Sequence, residues 1–186
     1  MDVKGTGIIV LPGFIKQQFG EQGYRQWLEA LTPQARQVYE GIIGINDWYP
    51  IRATYLEPTE VLCRLFYRDD HKGAWELGRY SAEYALKGVY RAFVKLTSVQ
   101  FFIRRAGVVL PTYYRPSAIE IAFQGERKTV LRIVQFPEYS PLIEQRIGGW
   151  IERSFEIHNC QGIEVKIDKS MARGDSCTEF VVTWEE

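Results

Sequence analysis

The sequence lacks an excess of charge of either sign. It contains 23 lysines and arginines against 23 aspartates and glutamates, so its formal net charge at pH 7 is zero. A surface without a dominant sign creates no long-range field that attracts nucleic acid or an anionic membrane. We therefore expect no nucleic-acid partner.

Cysteines and long apolar runs are also scarce. Three cysteines in 186 residues argue against a disulfide framework and indicate a reducing compartment. The apolar run over residues 7–14 is interrupted by Pro12 and Gly13, and it is too short for a membrane span or a signal peptide. The sequence therefore predicts a cytoplasmic protein without a transmembrane segment.

Sequence motifs for catalysis are missing as well. The chain has no Ser-His-Asp order, nucleophile elbow, glycine-rich phosphate loop or His-Glu-x-x-His motif. Asp69, Asp70 and His71 lie close together, but their spacing matches no set of metal ligands that converge on one ion. An enzyme that acts on a hydrophobic substrate is therefore only our third hypothesis.

Aromatic residues, in contrast, are abundant and make up 14% of the chain. The longest helical pattern covers residues 74–96 and carries a wide aromatic and aliphatic stripe, which predicts a central helix with contacts on more than one side. Gly78 and Gly88 in this pattern are either tolerated or allow another backbone or a ligand to approach closely.

The chain divides into a helical part and a β-rich part near Pro116. Residues 118–123 and 129–136 predict one hairpin, and residues 163–168 and 180–184 predict a second. Between the hairpins, Ser140 and Pro141 predict the start of a helix with Arg146 on or near its polar side. The predicted class is α+β, with an N-terminal helical half packed on a four-stranded antiparallel sheet in β-β-α-β-β order. We expect one domain over residues 1–186, with a helical half 1–116 and a β-β-α-β-β unit 117–186.

This order of elements resembles a ligand-binding fold shared by haem–nitric-oxide-binding (H-NOX) sensor domains, 4-vinyl-reductase domains and transport-particle subunits of vesicle tethering. The stretches 3–5, 76–91 and 112–115 are similar to those of an uncharacterised bacterial family with the same expected fold. The resemblance covers nearly the whole chain. It implies a sensor-like, signalling role, without a settled activity.

The resemblance also implies which residues would hold a haem, and this sequence lacks those residues. H-NOX domains bind iron through a helical histidine and hold the propionates with Tyr-x-Ser-x-Arg. This chain has only His71 and His158, neither at the family's ligand position, and no Tyr-x-Ser-x-Arg. We therefore predict no cofactor, and haem in particular is not expected.

Cysteines near the last hairpin suggest an alternative, because 4-vinyl-reductase domains resemble the chain in this region. Cys160 and Cys177, with His158 as a third ligand, would form a metal site. A structural zinc site normally has four ligands, so we favour two semi-buried thiols and no metal.

Our leading hypothesis is a non-enzymatic sensor or regulatory domain that binds a small apolar or amphipathic ligand between helices and sheet. The alternative is a protein-interaction module that acts as a homodimer or adaptor without a ligand. Arginines and tyrosines cluster along the helical half, either to orient a ligand or to pair with Glu76 or Glu83 at the surface. The predicted ligand-binding residues are Trp75, Arg79, Tyr80, Tyr84, Arg91, Tyr114, Arg115 and Trp150.

Overall fold

A computed structural model describes residues 1–86 and 98–185. The helices, labelled here in chain order, are α1 (Gly5–Ile8), α2 (Val10–Glu29), α3 (Pro33–Glu40), α4 (Glu57–Phe66), α5 (Lys72–Ala85), α6 (Val99–Ile103), α7 (Ala106–Tyr113) and α8 (Pro141–Ile157). A π-helical segment (Arg52–Leu56) leads into α4, and a 3-10 turn (Met171–Arg173) interrupts the last hairpin. The long helix predicted over residues 74–96 is thus described as far as Leu86, and Gly88 and Arg91 lie outside the described residues.

The β-rich part forms a four-stranded antiparallel sheet, as predicted. Its strands are β4 (Ala118–Gln124), β5 (Lys128–Gln135), β6 (Gln161–Lys169) and β7 (Thr178–Glu185), in the spatial order β4-β5-β7-β6. Alternate residues of β5, among them Leu131 and Ile133, are buried, so one face of the sheet packs on the helices. The α+β class and the β-β-α-β-β order are confirmed.

A second, smaller sheet was not predicted from the sequence. The strand β1 (Asp2–Lys4) pairs antiparallel with both β2 (Trp48–Pro50) and β3 (Tyr114–Arg115). These strands have two or three residues each, too few for a visible alternation of polar and apolar side chains. The segment 48–50 is therefore a short strand that the sequence pattern does not reveal.

The starts of helices α3 and α8 are set by local capping residues. The Thr32 hydroxyl accepts from the Ala35 amide at 3.3 Å, and the Ser140 hydroxyl accepts from the Leu142 amide at 3.3 Å. In both helices proline occupies the first turn, where no amide donor is needed. The Ser140 cap fixes the start of α8, the helix on which the candidate site depends.

Helix α8 lies between α5 on one side and the sheet on the other. Against the sheet, the fully buried Phe155 packs on Trp184 with ring centroids 5.1 Å apart. Against α5, the backbones nearly touch: a Cβ atom at Gly78 would collide with the Arg146 carbonyl, and one at Gly149 would collide with the Trp75 carbonyl. Gly78 therefore does allow a close backbone approach, and this contact sets the position of Arg146.

Candidate functional site

A cavity of about 80 Å³ lies between α6, α7, α8 and the sheet. Its walls are mostly apolar, with Ala106 and Val109 from α7, Ile147 and Trp150 from α8, and Leu131 from β5 among them. A water takes about 30 Å³ of liquid volume, and a cavity of about 150 Å³ holds benzene, so the cavity accommodates on the order of three non-hydrogen atoms. The cavity thus has room for a small molecule between the helical half and the sheet, where ligand pockets commonly form.

Arg146 brings a charge into this apolar wall. Arg146 is only 2% exposed, so the expectation that it lies on or near the polar side of α8 is wrong. Its Nη1 donates to the Thr59 hydroxyl at 2.9 Å, and its Nη2 donates to the Gly7 carbonyl at 3.1 Å. The Nε atom is buried and has no hydrogen-bond partner among the described residues. Sequence periodicity missed this residue because helical spacing does not tell a buried arginine from a solvated one.

Two tyrosines complete the polar side of the cavity. The guanidinium carbon of Arg146 lies 3.5 Å from the centroid of the Tyr55 ring, a cation–π contact. The Tyr55 and Tyr114 hydroxyls are 2.5 Å apart and hydrogen-bonded to each other. Burial raises the pKa of Tyr114 well above its ordinary value, so this hydroxyl stays neutral and contributes no negative charge near Arg146.

Of the predicted ligand-binding residues, Tyr114 and Trp150 line the cavity. Trp75 and Arg79 lie instead in the contact between α5 and α8. The Trp75 indole donates to Glu152 at 2.9 Å, and Arg79 pairs with Glu152 and, at 2.9 Å, with Glu156. The structure therefore brings only part of the predicted set together around the cavity.

The remaining predicted residues are spread over other surfaces. Tyr80 packs edge-on against Phe14 with ring centroids 5.4 Å apart, and Tyr84 is 48% exposed. Arg115 pairs with Asp2 at 3.2 Å and lies over the Trp48 ring. These positions stabilise helix and small-sheet contacts, and none of the three residues lines the cavity.

The candidate metal ligands do not form a cluster. Within residues 1–86 and 98–185, no group of three histidine, cysteine or acidic side chains is arranged to hold a metal ion. The three cysteines are free thiols, and burial raises the pKa of Cys160 above its ordinary value and that of Cys63 to about 11. The His158 Nδ1 is bonded to the Ser154 carbonyl at 2.8 Å, and its ring packs on Phe102.

Solved structures that are similar to this chain include several H-NOX proteins. A mutant of one from S. oneidensis, in the Fe(II) ligation state, has a TM-score of 0.74 at 13% identity, covering 98% of this chain and 96% of that one. The Fe(II)NO form from the same organism scores 0.73 at 14% identity, covering 98% and 99%. An unliganded Fe(II) protein from K. algicida scores 0.66 at 10% identity, covering 98% and 97%. The chain thus has an H-NOX-like fold, whereas no family model and no curated protein sequence matches it.

These neighbours correct the expectation about cofactors. We had predicted none, but the solved structures reported above, which share this fold, are H-NOX proteins in Fe(II) states, and this finding contradicts the prediction. The described cavity does not fit a haem bound through histidine. Neither His71 nor His158 lines it, and a haem, with several tens of non-hydrogen atoms, is larger than its volume.

A search of the described helices for a membrane-spanning segment finds none that is long and apolar enough. The interaction-module alternative, including a homodimer, stays a prediction.

Proposed function

We propose that this protein is a sensor or regulatory domain that binds a small, largely apolar molecule in the cavity between α6, α7, α8 and the sheet. The observation that carries the proposal is the cavity itself. It is a mostly apolar space in a fold that is also found in solved structures of H-NOX proteins. A mostly apolar cavity with a few polar groups in its wall is the usual form of a small-molecule site.

Two neighbouring valines of α7 give a matched test. Val109 lines the cavity, whereas Val108 is 59% exposed on the same helix. In Val109→Phe the added ring atoms occupy most of the space, and in Val108→Phe they extend into solvent. We expect ethanol, which has three non-hydrogen atoms, to shift the Trp150 indole N–H signal in NMR spectra of the wild type and Val108→Phe, and at least tenfold more weakly in Val109→Phe. Equal binding by both variants, or a wild type that binds nothing, would refute the cavity as the binding site.

A haemin titration of the same three proteins tests the occupant that the structural neighbours suggest. A Soret band in the wild type and Val108→Phe that is lost in Val109→Phe would identify haem as the ligand of this cavity. It would also require the described walls to move outward. Native mass spectrometry of the purified wild type would show any small molecule that remains bound from the cell.

A further inference from the structure

The strand β6 lies at one edge of the four-stranded sheet, where it pairs with β7. Among residues 1–86 and 98–185, no strand pairs with its other side. An antiparallel edge strand directs about half of its backbone N–H and C=O groups away from the sheet, and such an edge readily pairs with another strand. None of the described residues that line the cavity belongs to β6, so this edge is a separate surface.

The apolar side chains of β6 on the core side of the sheet are covered incompletely. Ile163, Val165 and Ile167 pack against the core but are only half-buried. Their neighbours on β7 differ, because Val182, opposite Val165, and Phe180, opposite Ile167, are fully buried. The edge therefore presents both unpaired backbone groups and accessible apolar surface, the combination that is used in recognition by strand addition.

The open part of this edge is bounded at both ends. At its start, Gly162 has a φ of 54°, and the pairing with β7 is shifted there. At its end, Arg173 from the following turn donates to the Asp168 carbonyl at 3.0 Å. The open stretch is therefore 163–167, and Val165 is its middle residue.

Charge favours one register for pairing this stretch with a second copy of itself. When two identical strands pair antiparallel with their core sides on the same face, the two-fold axis passes through a residue. An axis at Glu164 or at Lys166 places like charges opposite each other, which is destabilising. An axis at Val165 pairs the whole open stretch and places Glu164 of each copy opposite Lys166 of the other. Lysine on an edge ordinarily discourages pairing, but beside Glu164 it discourages the registers that bring like charges together.

We propose that β6 pairs antiparallel with β6 of a second copy of this chain, about a two-fold axis at Val165. The two sheets then form one continuous sheet, with two Glu164–Lys166 pairs on its outer face and Ile163 opposite Ile167 on its core side. A single pair of strands buries a small area, so we expect a dissociation constant of about 10–100 µM. The chain is then mostly monomeric at about 1 µM.

Sedimentation equilibrium of the full-length chain, from about 1 to about 500 µM, tests the pairing. Glu164→Lys and Lys166→Glu each bring like charges together across the axis, so each should raise the dissociation constant about tenfold or more. The double variant E164K/K166E restores opposite charges and should return to within about threefold of the wild type. Glu126→Lys makes the same charge change in the exposed turn between β4 and β5, so this control should stay within about twofold of the wild type.

A mixture of the two single variants gives a second check that does not depend on the double variant. A chain with Glu164→Lys has two lysines on the open edge, and a chain with Lys166→Glu has two glutamates there. A mixed dimer therefore has attractive pairs only, and we expect the equimolar mixture to associate within about threefold of the wild type. Variants that had lost their fold would not regain association on mixing.

Three results would overturn the inference. A wild type that stays monomeric over the whole concentration range would exclude this pairing. A dimer that both single variants preserve would place the interface on another surface. If the single variants lose the dimer and neither the double variant nor the mixture restores it, the register at Val165 is wrong. Each of these results leaves the proposed function of the cavity unaffected.

Discussion

Arg146 and Arg153 occupy the same face of α8, two helical turns apart, yet their surroundings differ completely. Arg153 is half-buried, donates to Glu83 at 2.6 Å and pairs with Glu156 at 2.5 Å. Arg146 is almost fully buried and meets only neutral groups and a cavity. The first arginine belongs to a charge-balanced contact between two helices, whereas the second has no carboxylate partner among the described residues. Two arginines on one face of a helix thus differ in charge balance because their three-dimensional neighbours differ.

The largest expected effect concerns Glu144, the buried acid two residues before Arg146. Its carboxylate accepts from the Ser170 and Thr178 hydroxyls at 2.6 Å each and from the Ala172 amide at 3.3 Å. Glu144→Ala removes these bonds and leaves buried donors unpaired, so we expect the free energy of unfolding in urea to fall by about 3 kcal/mol. Glu164→Ala, on an exposed position of β6, is the control and should change it by less than about 0.5 kcal/mol. A loss no larger than that of the control would mean that Glu144 is not held as described.

The next prediction compares the stability in urea of variants at the two arginines, measured in protein without added ligand. Arg146→Met loses two hydrogen bonds from a charged donor, worth about 1.5–3 kcal/mol each, and a cation–π contact worth about 1–2 kcal/mol. It also removes a desolvated, unpaired charge that costs several kcal/mol, which offsets most of this loss. We therefore expect Arg146→Met to unfold at a urea concentration close to that of the wild type.

Arg153→Met should be less stable than the wild type, because it leaves two half-buried carboxylates with one partner fewer. We expect its free energy of unfolding to fall by about 0.5–1 kcal/mol, since the pair is partly screened by solvent. If Arg146→Met were the less stable of the two variants, the cation would be compensated within the fold, and the contrast between the arginines would disappear.

The smallest effect concerns His158, just after the end of α8. Its Nε2 is buried without a hydrogen-bond partner among the described residues, and burial lowers its pKa below the ordinary 6.5. The unfolded chain therefore binds a proton more readily than the folded one, so this residue makes stability fall as the pH drops through 6.5 toward the folded-state pKa. His158→Phe should reduce this loss by less than about 1 kcal/mol between pH 7 and 5, as measured by thermal unfolding. The exposed His71→Phe should keep the wild-type dependence, and an identical slope in both variants would refute the assignment.

Much of the fold was predictable because its signals are local. Ser140 and Pro141 mark the start of α8, and the alternation over residues 163–168 predicts a strand, so the β-β-α-β-β unit could be derived from neighbouring residues alone. The short strands of the small sheet have too few residues for such a pattern. Helix α7 has no clear local signature because Pro111 lies inside it, where proline usually ends a helix.

The candidate site was predictable only in part. The sequence favoured a ligand between helices and sheet, and Tyr114 and Trp150 do line the cavity there. Arg79 was selected for its aromatic neighbours, yet it pairs with Glu152 and Glu156, which are more than seventy positions away in the chain. Pairs so distant have no local signature.

The sequence by itself determined the α+β class, the order of the elements and the starts of the main helices, because backbone caps and hydrophobic periodicity act over a few residues. Only the tertiary structure decided which arginine of α8 is compensated. The close contact at Gly78 and Gly149 places Glu83 beside Arg153, and it places the cavity, Thr59 and Gly7 beside Arg146. Burial and charge balance depend on the three-dimensional neighbours of a side chain, and those neighbours are set by packing between segments far apart in the chain.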